Sequence, residues 1–377
     1  MSKKILIVTN NYLPGYKAGG PVKSISSICN ILKDKYNFTV LTSNCDFGEN
    51  NVYDNVEFDK PIRFHGYKVI YLSKINFNTI KLSINNCLPD VVYLNSFFSK
   101  FTQVILFLKK IGLINTKIIL APRGELSDGA LSIKNVKKKL FLKVSKFLCL
   151  YDSVVFHSTD KIETVDIQKL FPNKVNCIAN LTTINEQSFE GIKKNKNEIK
   201  IIFLSRISRK KNLFYALEIL RKYKFQGNIV FDIYGTIEDE NYWNECLEQL
   251  SFMDNNIIIK YKSPVKPENV SKIMSQYHMF FLPTKNENFG HAIVEAMQIG
   301  LIPLISDQTP WIDLEYQKAG YSISLENQKD FVLAISTVLK YSQSEYLEIS
   351  NNVKEYVNSK LNNDKLIIEY INMFNYN

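Results

Sequence analysis

Short β-rich runs alternate with longer helical patterns along this chain of 377 residues, and no other feature limits the fold as strongly. Between the runs, apolar residues recur at helical spacing, as at Val22, Ile25 and Ile28. Strands that alternate with helices build βαβ units around a parallel sheet. The sequence therefore predicts the α/β fold class.

Eleven runs are predicted to be strands, and they fall into two blocks. The first block contains the runs 4–8, 38–42, 68–72, 90–95, 117–121 and 153–157. The second contains 200–205, 229–234, 256–260, 279–283 and 302–306. Residues 193–200 have no apolar core and are predicted to be the linker between the blocks. At ~100–200 residues per domain, this length predicts two doubly wound domains.

The composition narrows the class of partner. The 47 Lys and Arg exceed the 37 Asp and Glu, so the formal charge is +10, which suits nucleic acid, an anionic membrane or a phosphorylated small molecule. Only five of these cations are Arg, and this scarcity argues against nucleic acid. Six separated cysteines without a CxxC pair predict reduced thiols and no zinc site. Apolar runs of about five residues are too short to cross a bilayer, and the protein is predicted to be cytoplasmic.

A strand–loop–helix pattern at 282–300 carries two acids. The strand ends near residue 283, Glu287 lies in a polar loop, and a helix that starts near Gly290 carries Glu295. A helix N-terminus presents unpaired N–H groups and partial positive charge, which suits a phosphate. The two carboxylates can contact different parts of one ligand, although a solvated loop acid and a surface helix acid would give the same pattern.

A second segment, at 203–213, places two cations beside a strand. Arg206 follows the predicted strand, and Lys211 begins a helix whose apolar face includes Leu213 and Leu217. Fixed positive groups stabilise the negative charge that develops on a leaving diphosphate. A basic turn on a basic protein is the alternative for this segment taken alone.

Together these segments resemble the retaining glycosyltransferases of family 4, which have the GT-B fold. The resemblance rests on the EX7E pattern in ENFGHAIVE, downstream of Arg206 and Lys211, and it extends over AGGPVKS, FHSTDKIET and SPVKPENVSKIMSQYHMFFLPT. It implies two Rossmann-like domains that face a central cleft. These are an acceptor-side domain at 1–185 and a nucleotide-sugar-binding domain at 196–358, followed by a helix at 359–377 that crosses back to the first domain.

The resemblance also implies roles for particular residues. Arg206 and Lys211 match the pair that binds the donor diphosphate, and Glu287 matches the acid near the transferred sugar, so these three are the predicted catalytic residues. Glu295 matches the acid that binds the ribose hydroxyls. The other predicted donor contacts are the glycine loop at Gly19 and Gly20 and the loop residues Phe289, Gly290 and His291. No metal and no cofactor are expected, because cations and a helix N-terminus replace a divalent ion at the diphosphate.

One position departs from the family pattern. Many relatives carry a His in the region of residues 121–127, where this chain has Arg123. Because Arg cannot shuttle a proton at neutral pH, Arg123 is predicted to contact the acceptor, the sugar or a phosphate. Pairing with Glu125 or with a buried carbonyl is the alternative. The histidines at 157 and 278 lie in strand-like runs and are predicted to be core residues or hydrogen-bonded polar residues.

Residues 131–150 combine six lysines with apolar residues at helical spacing. The apolar set is Ile133, Val136, Leu140, Val144, Phe147 and Leu148. This basic amphipathic helix is predicted either to rest on anionic lipid or to be a domain helix whose apolar positions serve the core and whose lysines face solvent.

Residues and resemblance together predict a metal-independent, retaining glycosyltransferase. It would move a sugar from a nucleotide donor, UDP rather than GDP, to a glycan or lipid-linked glycan in surface polysaccharide, lipopolysaccharide or capsule biosynthesis. The enzyme would be peripheral on the inner face of the membrane through residues 131–150 and would bind no nucleic acid. Two alternatives stay open: a GT-B transferase with a small-molecule acceptor, and a non-catalytic sugar-nucleotide-binding protein.

Overall fold

A computed structural model of the chain describes residues 2–54, 56–132, 135–183, 192–361 and 363–375. The chain divides into two compact units, one that ends at residue 183 and regains the segment from 363 onward, and one formed by the residues in between. The predicted boundary at residue 185 lies outside the described residues. Within those residues, no helix is both long and apolar enough to span a bilayer.

The first unit is a parallel sheet covered by helices. Its strands are β1 (Lys4–Val8), β2 (Asn37–Ser43), β3 (Pro61–Phe64), β4 (Tyr67–Leu72), β5 (Val91–Asn95), β6 (Lys117–Ala121), β7 (Val154–Ser158) and β8 (Val175–Cys177). They lie in the order β3-β4-β2-β1-β5-β6-β7-β8, and among them only β3 runs antiparallel to its neighbour. Central strands such as β5 are buried at every position, as expected for a sheet with helices on both faces.

The helices of the first unit differ in how they begin, since several start at polar side-chain caps and the first starts at Gly19 without one. They are α1 (Gly20–Leu32), α2 (Phe77–Cys87), α3 (Lys100–Lys110), α4 (Asp128–Ser132), α5 (Asn135–Phe147) and α6 (Lys161–Leu170). Asn76 caps α2, Ser99 caps α3 and Asp160 caps α6, each accepting a hydrogen bond from a backbone N–H in the first turn. These caps explain why helices start there without strong intrinsic helix propensity.

The second unit has the strand order of a dinucleotide-binding fold. Its strands are β9 (Glu198–Leu204), β10 (Asn228–Tyr234), β11 (Ile257–Lys262), β12 (Met279–Leu282), β13 (Ile302–Ser306) and β14 (Tyr321–Ile323). Its helices are α7 (Leu213–Lys222), α8 (Glu240–Leu250), α9 (Val270–Met274), α10 (His291–Gln298), α11 (Gln328–Lys340) and α12 (Gln343–Lys360). The order β11-β10-β9-β12-β13-β14 reverses its winding direction between β9 and β12. Ligands of such sheets bind at this reversal, outside the carboxyl ends of the strands.

All eleven predicted strands are present, and the predicted α/β class is confirmed. The sequence did not reveal β3, β8 and β14, which are three or four residues long and lie at the edges of the sheets. Edge strands this short leave too few residues for an alternating pattern to show.

The linker prediction for residues 193–200 was wrong in part. Strand β9 already begins at Glu198, and Lys194 is only 2% exposed. The Lys194 ammonium donates hydrogen bonds to the carbonyl oxygens of Leu339 (3.1 Å) and Tyr341 (3.2 Å). Burial lowers the pKa of Lys194 to about 8. This polar stretch therefore packs into the second unit through hydrogen bonds. The sequence did not predict its burial because the stretch has no apolar core.

The C-terminal helix α13 (Asn363–Asn375) belongs to the first unit. Tyr370, Met373 and Phe374 are buried in the same cluster as β1 and β2 side chains. The Phe374 ring lies 5.6 Å from the Tyr36 ring and 5.7 Å from the Tyr93 ring. Leu361, which lies in the segment 359–377 predicted to cross back, instead belongs to the core of the second unit.

Helix α5 packs against the first unit through the face opposite to its predicted apolar stripe. Leu142 is buried, and the Phe141 ring lies 5.7 Å from the Phe98 ring. The apolar stripe predicted from the sequence is exposed, at Val136, Leu140, Val144, Phe147 and Leu148. The alternative in which these residues serve the core is therefore wrong for the described residues; Ile133 lies outside them.

Candidate functional site

Two loops at the carboxyl edge of the second sheet hold the three predicted catalytic residues. The loop 205–212 follows β9 and contains Arg206 and Lys211, and the loop 283–290 follows β12 and contains Glu287. Strands β9 and β12 are neighbours at the winding reversal. The fold therefore brings together two segments that lie more than seventy residues apart in sequence.

Lys211 and Glu287 form an ion pair between the two loops. The Lys211 ammonium donates a hydrogen bond to Glu287 Oε2, and the two side chains are only 12% and 17% exposed. Burial alone would raise the pKa of Glu287. The charge of Lys211, the hydrogen bond it donates, and the charges of Lys210 and Arg206 outweigh burial and hold that pKa below its usual range. Glu287 is thus a carboxylate fixed in a cationic environment.

Arg206 is positioned by the loop that follows β10. Its Nη1 atom lies 3.0 Å from Glu238 Oε1, and both side chains are about one-third exposed. The two loops are also joined through their backbones, because the Ile207 N–H donates to Thr236 O at 2.8 Å and the Glu238 N–H donates to Ile207 O at 3.1 Å. The backbone around Arg206 is therefore held in place, while solvent can reach its guanidinium.

Gly235 allows this close approach of the two loops. It has φ +154, and a side chain there would bring its Cβ within 1.8 Å of Ser205 O. Any other residue would push the loop after β10 away from Arg206. The sequence reasoning did not select Gly235, although a single glycine directly after a predicted strand is a signal of close backbone approach.

Lys210 is a second residue that the sequence reasoning did not select. Its carbonyl accepts hydrogen bonds from the Lys285 N–H (2.8 Å) and from the Thr284 hydroxyl (3.1 Å), which ties the loop after β9 to the loop after β12. The Glu287 N–H is held in turn by Gln308 O at 2.8 Å. The acid is therefore fixed by three loops. The charge of Lys210 also acts on Glu287. The sequence did not single out Lys210 because it lies in a run of basic residues.

The residues that follow Glu287 begin helix α10. Gly290 is the N-cap residue, has φ +79 and supplies no side-chain cap. A Cβ on Gly290 would lie 3.2 Å from Glu287 Cγ, so glycine lets the acid pack against the helix start. The first N–H groups of a helix have no partner within the helix, and they favour a negative ligand.

Phe289, His291 and Glu295 occupy different surroundings around this helix start. The Phe289 side chain is buried against the Trp311 ring, and its carbonyl accepts the Trp311 indole N–H at 2.6 Å. The His291 ring lies beside the Phe289 ring at an interplanar angle of 60°, with ring centroids 4.8 Å apart. Glu295 is half-buried on the second turn of α10. Phe289 is thus a packing residue through its side chain.

The predicted glycine loop lies in the first unit, at the carboxyl end of β1. Gly19 is the N-cap of α1, with φ +69, and a side chain there would meet no protein atom within 4 Å. Gly20 is the first residue of α1. Asp46, which is 5% exposed, fixes this loop by accepting the N–H groups of Tyr16 (2.9 Å) and Lys17 (3.2 Å). The glycine at 19 is therefore required by its backbone conformation.

Arg123 also lies at the carboxyl edge of the first sheet, after β6. Its guanidinium donates to Asn95 Oδ1 (2.7 and 3.1 Å), to Asn180 Oδ1 (2.7 Å) and to the Tyr93 hydroxyl (2.9 Å). The predicted alternative of a pair with Glu125 is wrong. The Glu125 carboxylate instead accepts from Ser96, Phe97 and Phe98 at the start of the α3 segment.

His157 ends a hydrogen-bond chain that starts at Arg123. The Tyr93 hydroxyl accepts from Arg123, so it donates to His157 Nδ1 at 2.7 Å, and His157 Nε2–H donates to Ile178 O at 2.9 Å. Burial, together with the Arg123 charge, lowers the pKa of His157 to about 3. His157 is thus a neutral core residue, as predicted, and His278 is likewise buried at 3% exposure.

Within the residues that the structure describes, no three His, Cys, Asp or Glu side chains cluster closely enough to hold a metal ion.

The second unit resembles a known protein family in sequence. Residues 184–357 match the family described as Glycosyl transferases group 1, which confirms the predicted resemblance to glycosyltransferases. The narrower assignment to family 4 stays a prediction.

Two curated relatives match only parts of the chain. ORF330 of Acidianus filamentous virus 2 is 28% identical over 139 residues, which is 34% of this chain and 41% of that protein. The GtfA subunit of UDP-N-acetylglucosamine–peptide N-acetylglucosaminyltransferase from Streptococcus pneumoniae serotype 4 is 25% identical over 158 residues, or 41% of this chain and 30% of that protein. The chain thus spans less than half the length of either relative.

Solved structures match over the whole chain. Sucrose-phosphate synthase from Thermosynechococcus elongatus has a TM-score of 0.75 at 14% identity, covering 99% of this chain and 98% of that one. HepE from Anabaena, solved with UDP and glucose, has a TM-score of 0.70 at 14% identity with full coverage of both chains. WaaG, a glycosyltransferase involved in lipopolysaccharide biosynthesis, has a TM-score of 0.67 at 12% identity, covering 99% of this chain and 100% of that one. These likenesses confirm the GT-B fold.

Proposed function

Because residues 184–357 match the group 1 glycosyl transferases, we propose that this chain transfers a sugar from a nucleotide-sugar donor, with UDP as the nucleotide, to a glycan or lipid-linked glycan. The observation that supports this most directly is the Lys211–Glu287 pair at the winding reversal of the second sheet, beside Arg206 and the start of α10. It combines fixed cations for a diphosphate with a carboxylate for sugar hydroxyls.

In the proposed reaction the acceptor hydroxyl attacks from the face that the diphosphate leaves, and a departing phosphate oxygen takes its proton. The glycosidic bond to the diphosphate breaks as the new glycosidic bond forms, with retention of configuration. Lys211, Arg206 and the first N–H groups of α10 would stabilise the charge that develops on the diphosphate. Such groups, rather than a metal ion, would supply the stabilisation at that oxygen.

The cationic loop favours a diphosphate over a neutral ligand. Three cations, Arg206, Lys210 and Lys211, act on Glu287 and hold its pKa low. A diphosphate would add negative charge beside the same cations, so we expect it to share Lys211 with Glu287. Glu287 and Glu295 would then accept hydrogen bonds from donor hydroxyls, on the sugar and on the ribose respectively. Gly19, Gly20, Gly290 and the backbone of residues 289–291 are proposed donor contacts.

We propose that Arg123 contacts an anionic group of the acceptor. Among the described residues its hydrogen-bond partners are all neutral, namely two amide oxygens and one phenol. They fix the guanidinium without neutralising its charge. These partners take four of the five guanidinium N–H groups, so a phosphate of a lipid-linked glycan would accept the remaining one, on Nη1, and would supply the missing negative charge.

The first test is a donor screen. Purified protein is incubated with a panel of UDP- and GDP-sugars, and release of the nucleotide is measured with and without glycan, lipid-linked and small-molecule acceptors. Hydrolysis or transfer restricted to UDP-sugars supports the proposal. Binding of a nucleotide sugar without any turnover would favour a sugar-nucleotide-binding protein. Transfer only to small acceptors would favour a function closer to that of sucrose-phosphate synthase.

The second test separates donor from acceptor residues. Arg206→Ala should lower turnover by about 10²–10³, as does loss of one preorganised charge-stabilising donor. Arg209→Ala is the matched control, because Arg209 lies in the same loop but pairs with Glu245 of α8. Arg123→Gln should raise the acceptor KM and leave donor hydrolysis unchanged. Equal loss of hydrolysis in the Arg123 and Arg206 variants would contradict the acceptor assignment.

A further inference from the structure

Helix α5 exposes a continuous apolar stripe. Val136, Leu140 and Phe147 are 82%, 62% and 86% exposed, and Val144 is 48% exposed. At 3.6 residues per turn these four side chains lie within roughly a quarter of the helix circumference, over about 17 Å of its length. A helix on the surface of a globular unit normally turns such a stripe toward the core. This stripe therefore lacks a partner among the described residues.

The face of α5 opposite to the exposed apolar stripe fixes the position of the helix. Leu142 and Ser145 are buried, and the Phe141 ring packs on the rings of Phe97 and Phe98 at 6.4 and 5.7 Å. The helix cannot roll its apolar stripe inward without pulling these side chains out of the core. The exposure is thus a property of the docked helix.

Lysines flank the stripe on both sides. Lys137 lies on one side, and Lys139 and Lys143 lie on the other, all of them exposed. Residues 131–150 contain six lysines and no Asp or Glu. An apolar stripe bordered by cations complements a surface that is apolar inside and anionic outside.

We propose that α5 docks on an anionic lipid bilayer. The stripe would enter the boundary between headgroups and acyl chains, and the lysines would reach the lipid phosphates. A second copy of this chain fits less well, because a symmetric pairing of two α5 helices would place lysines against lysines. Nucleic acid would engage the lysines but leave the stripe in water. This inference goes beyond the proposed glycosyl transfer and does not depend on it.

Co-sedimentation with vesicles tests the proposal without donor or acceptor. The protein is mixed with phosphatidylcholine vesicles with or without phosphatidylglycerol, and two triple variants are compared with wild type. The stripe variant is Val136→Ser, Leu140→Ser and Phe147→Ser, and the lysine variant is Lys137→Gln, Lys139→Gln and Lys143→Gln. Their controls replace residues of similar exposure elsewhere. These controls are Leu82→Ser, Ile162→Ser and Leu333→Ser for the stripe, and Lys260→Gln, Lys272→Gln and Lys329→Gln for the lysines.

Wild type and both controls should bind the anionic vesicles and not the neutral ones. The lysine variant should bind on the order of 100-fold more weakly, at about fivefold per lysine, and its remaining affinity should depend less on salt. The stripe variant should lose at least as much, because three large side chains would no longer leave water. All the changed residues are exposed, so folding should be unaffected; circular dichroism spectra verify this.

Three results would overturn the proposal. One is wild-type protein that stays in the supernatant with anionic vesicles. Another is binding that the stripe variant retains at wild-type strength. The third is a wild-type dimer in sedimentation velocity that the stripe substitutions dissociate while vesicle binding stays unchanged, since the stripe would then be covered by a second copy. None of these outcomes bears on donor hydrolysis.

Discussion

The Lys211–Glu287 pair makes the most specific prediction about the second unit. Replacing Lys211 with Met removes the cation nearest to Glu287 and keeps most of the apolar length of the side chain. Exposed ion pairs couple by about 0.2–1 kcal/mol, whereas removing one partner of a buried pair costs about 3–5 kcal/mol. At 12% and 17% exposure the pair lies toward the buried end. Because Lys210 and Arg206 still act on Glu287, we expect about 2 kcal/mol of lost stability.

A double-mutant cycle measures the coupling itself. Lys211→Met, Glu287→Gln and the double variant are unfolded in urea, and the two single effects should exceed the double effect by about 1–2 kcal/mol. The matched control is Lys222 with Glu218 on α7, a pair at 2.7 Å whose side chains are 44% and 22% exposed. That control should couple by at most about 0.5 kcal/mol.

The pH dependence of the cycle follows from the carboxylate. The folded pKa of Glu287 lies below the ordinary value of 4.5, so its contribution to stability is complete above that pH and is lost as the pH falls through the folded pKa. The coupling should therefore be constant from pH 7 to 5 and decrease below about 4.5. Coupling no larger than that of the control pair, or coupling that persists after Glu287 is protonated, would refute the reasoning.

Three further predictions concern acid stability, the last helix and metal ions. The pKa of His157 is about 3 in the folded state and 6.5 in the unfolded state, so between these pH values the unfolded state binds one more proton. The free energy of unfolding of the first unit should therefore fall by about 2 kcal/mol from pH 7 to 5. In urea unfolding, His157→Gln should not show this fall, whereas the control His65→Gln, at an exposed site, should show it. Phe374→Ala should destabilise the first unit by about 3–5 kcal/mol, whereas Ile368→Ala, at a site 59% exposed on the same helix, should change stability by less than about 0.5 kcal/mol; equal effects would place α13 outside the core. Nucleotide release should survive excess EDTA, and a strict requirement for Mg²⁺ or Mn²⁺ would contradict the proposed role of Arg206 and Lys211.

Much of the candidate site could be predicted because its chemistry is local in sequence. Arg206 and Lys211 lie in one basic loop directly after a predicted strand, and Glu287 lies in a polar loop directly before a helix. Strand ends and helix starts are decided by short-range periodicity and by glycine, so both loops were placed to within about two residues; α7 begins at Leu213 and not at Lys211 as predicted. What no local pattern contains is their contact across 76 positions, which arises because β9 and β12 are neighbours in the sheet.

Residues whose role depends on several strands could not be predicted. Arg123 was assigned to a ligand, to an acid two residues away or to a buried carbonyl, yet its partners are side chains of β5 and of the loop after β8. Lys194 looked like a linker residue because its burial is stabilised by backbone carbonyls, which any sequence supplies. Glu287 is held by the carbonyl of Gln308, again a backbone group without a sequence signal.

Helix α5 separates the two kinds of information most clearly. The sequence by itself determined that residues 136–147 form a helix with one apolar stripe and many lysines, because helical periodicity and charge are properties of neighbouring residues. Only the tertiary structure decided that Phe141 and Leu142 dock the helix and that Val136, Leu140 and Phe147 face outward. The free energy of docking comes from burial against residues that include Phe97 and Phe98, which lie between β5 and α3. That choice between two apolar faces is made by distant parts of the chain, so no local pattern can record it.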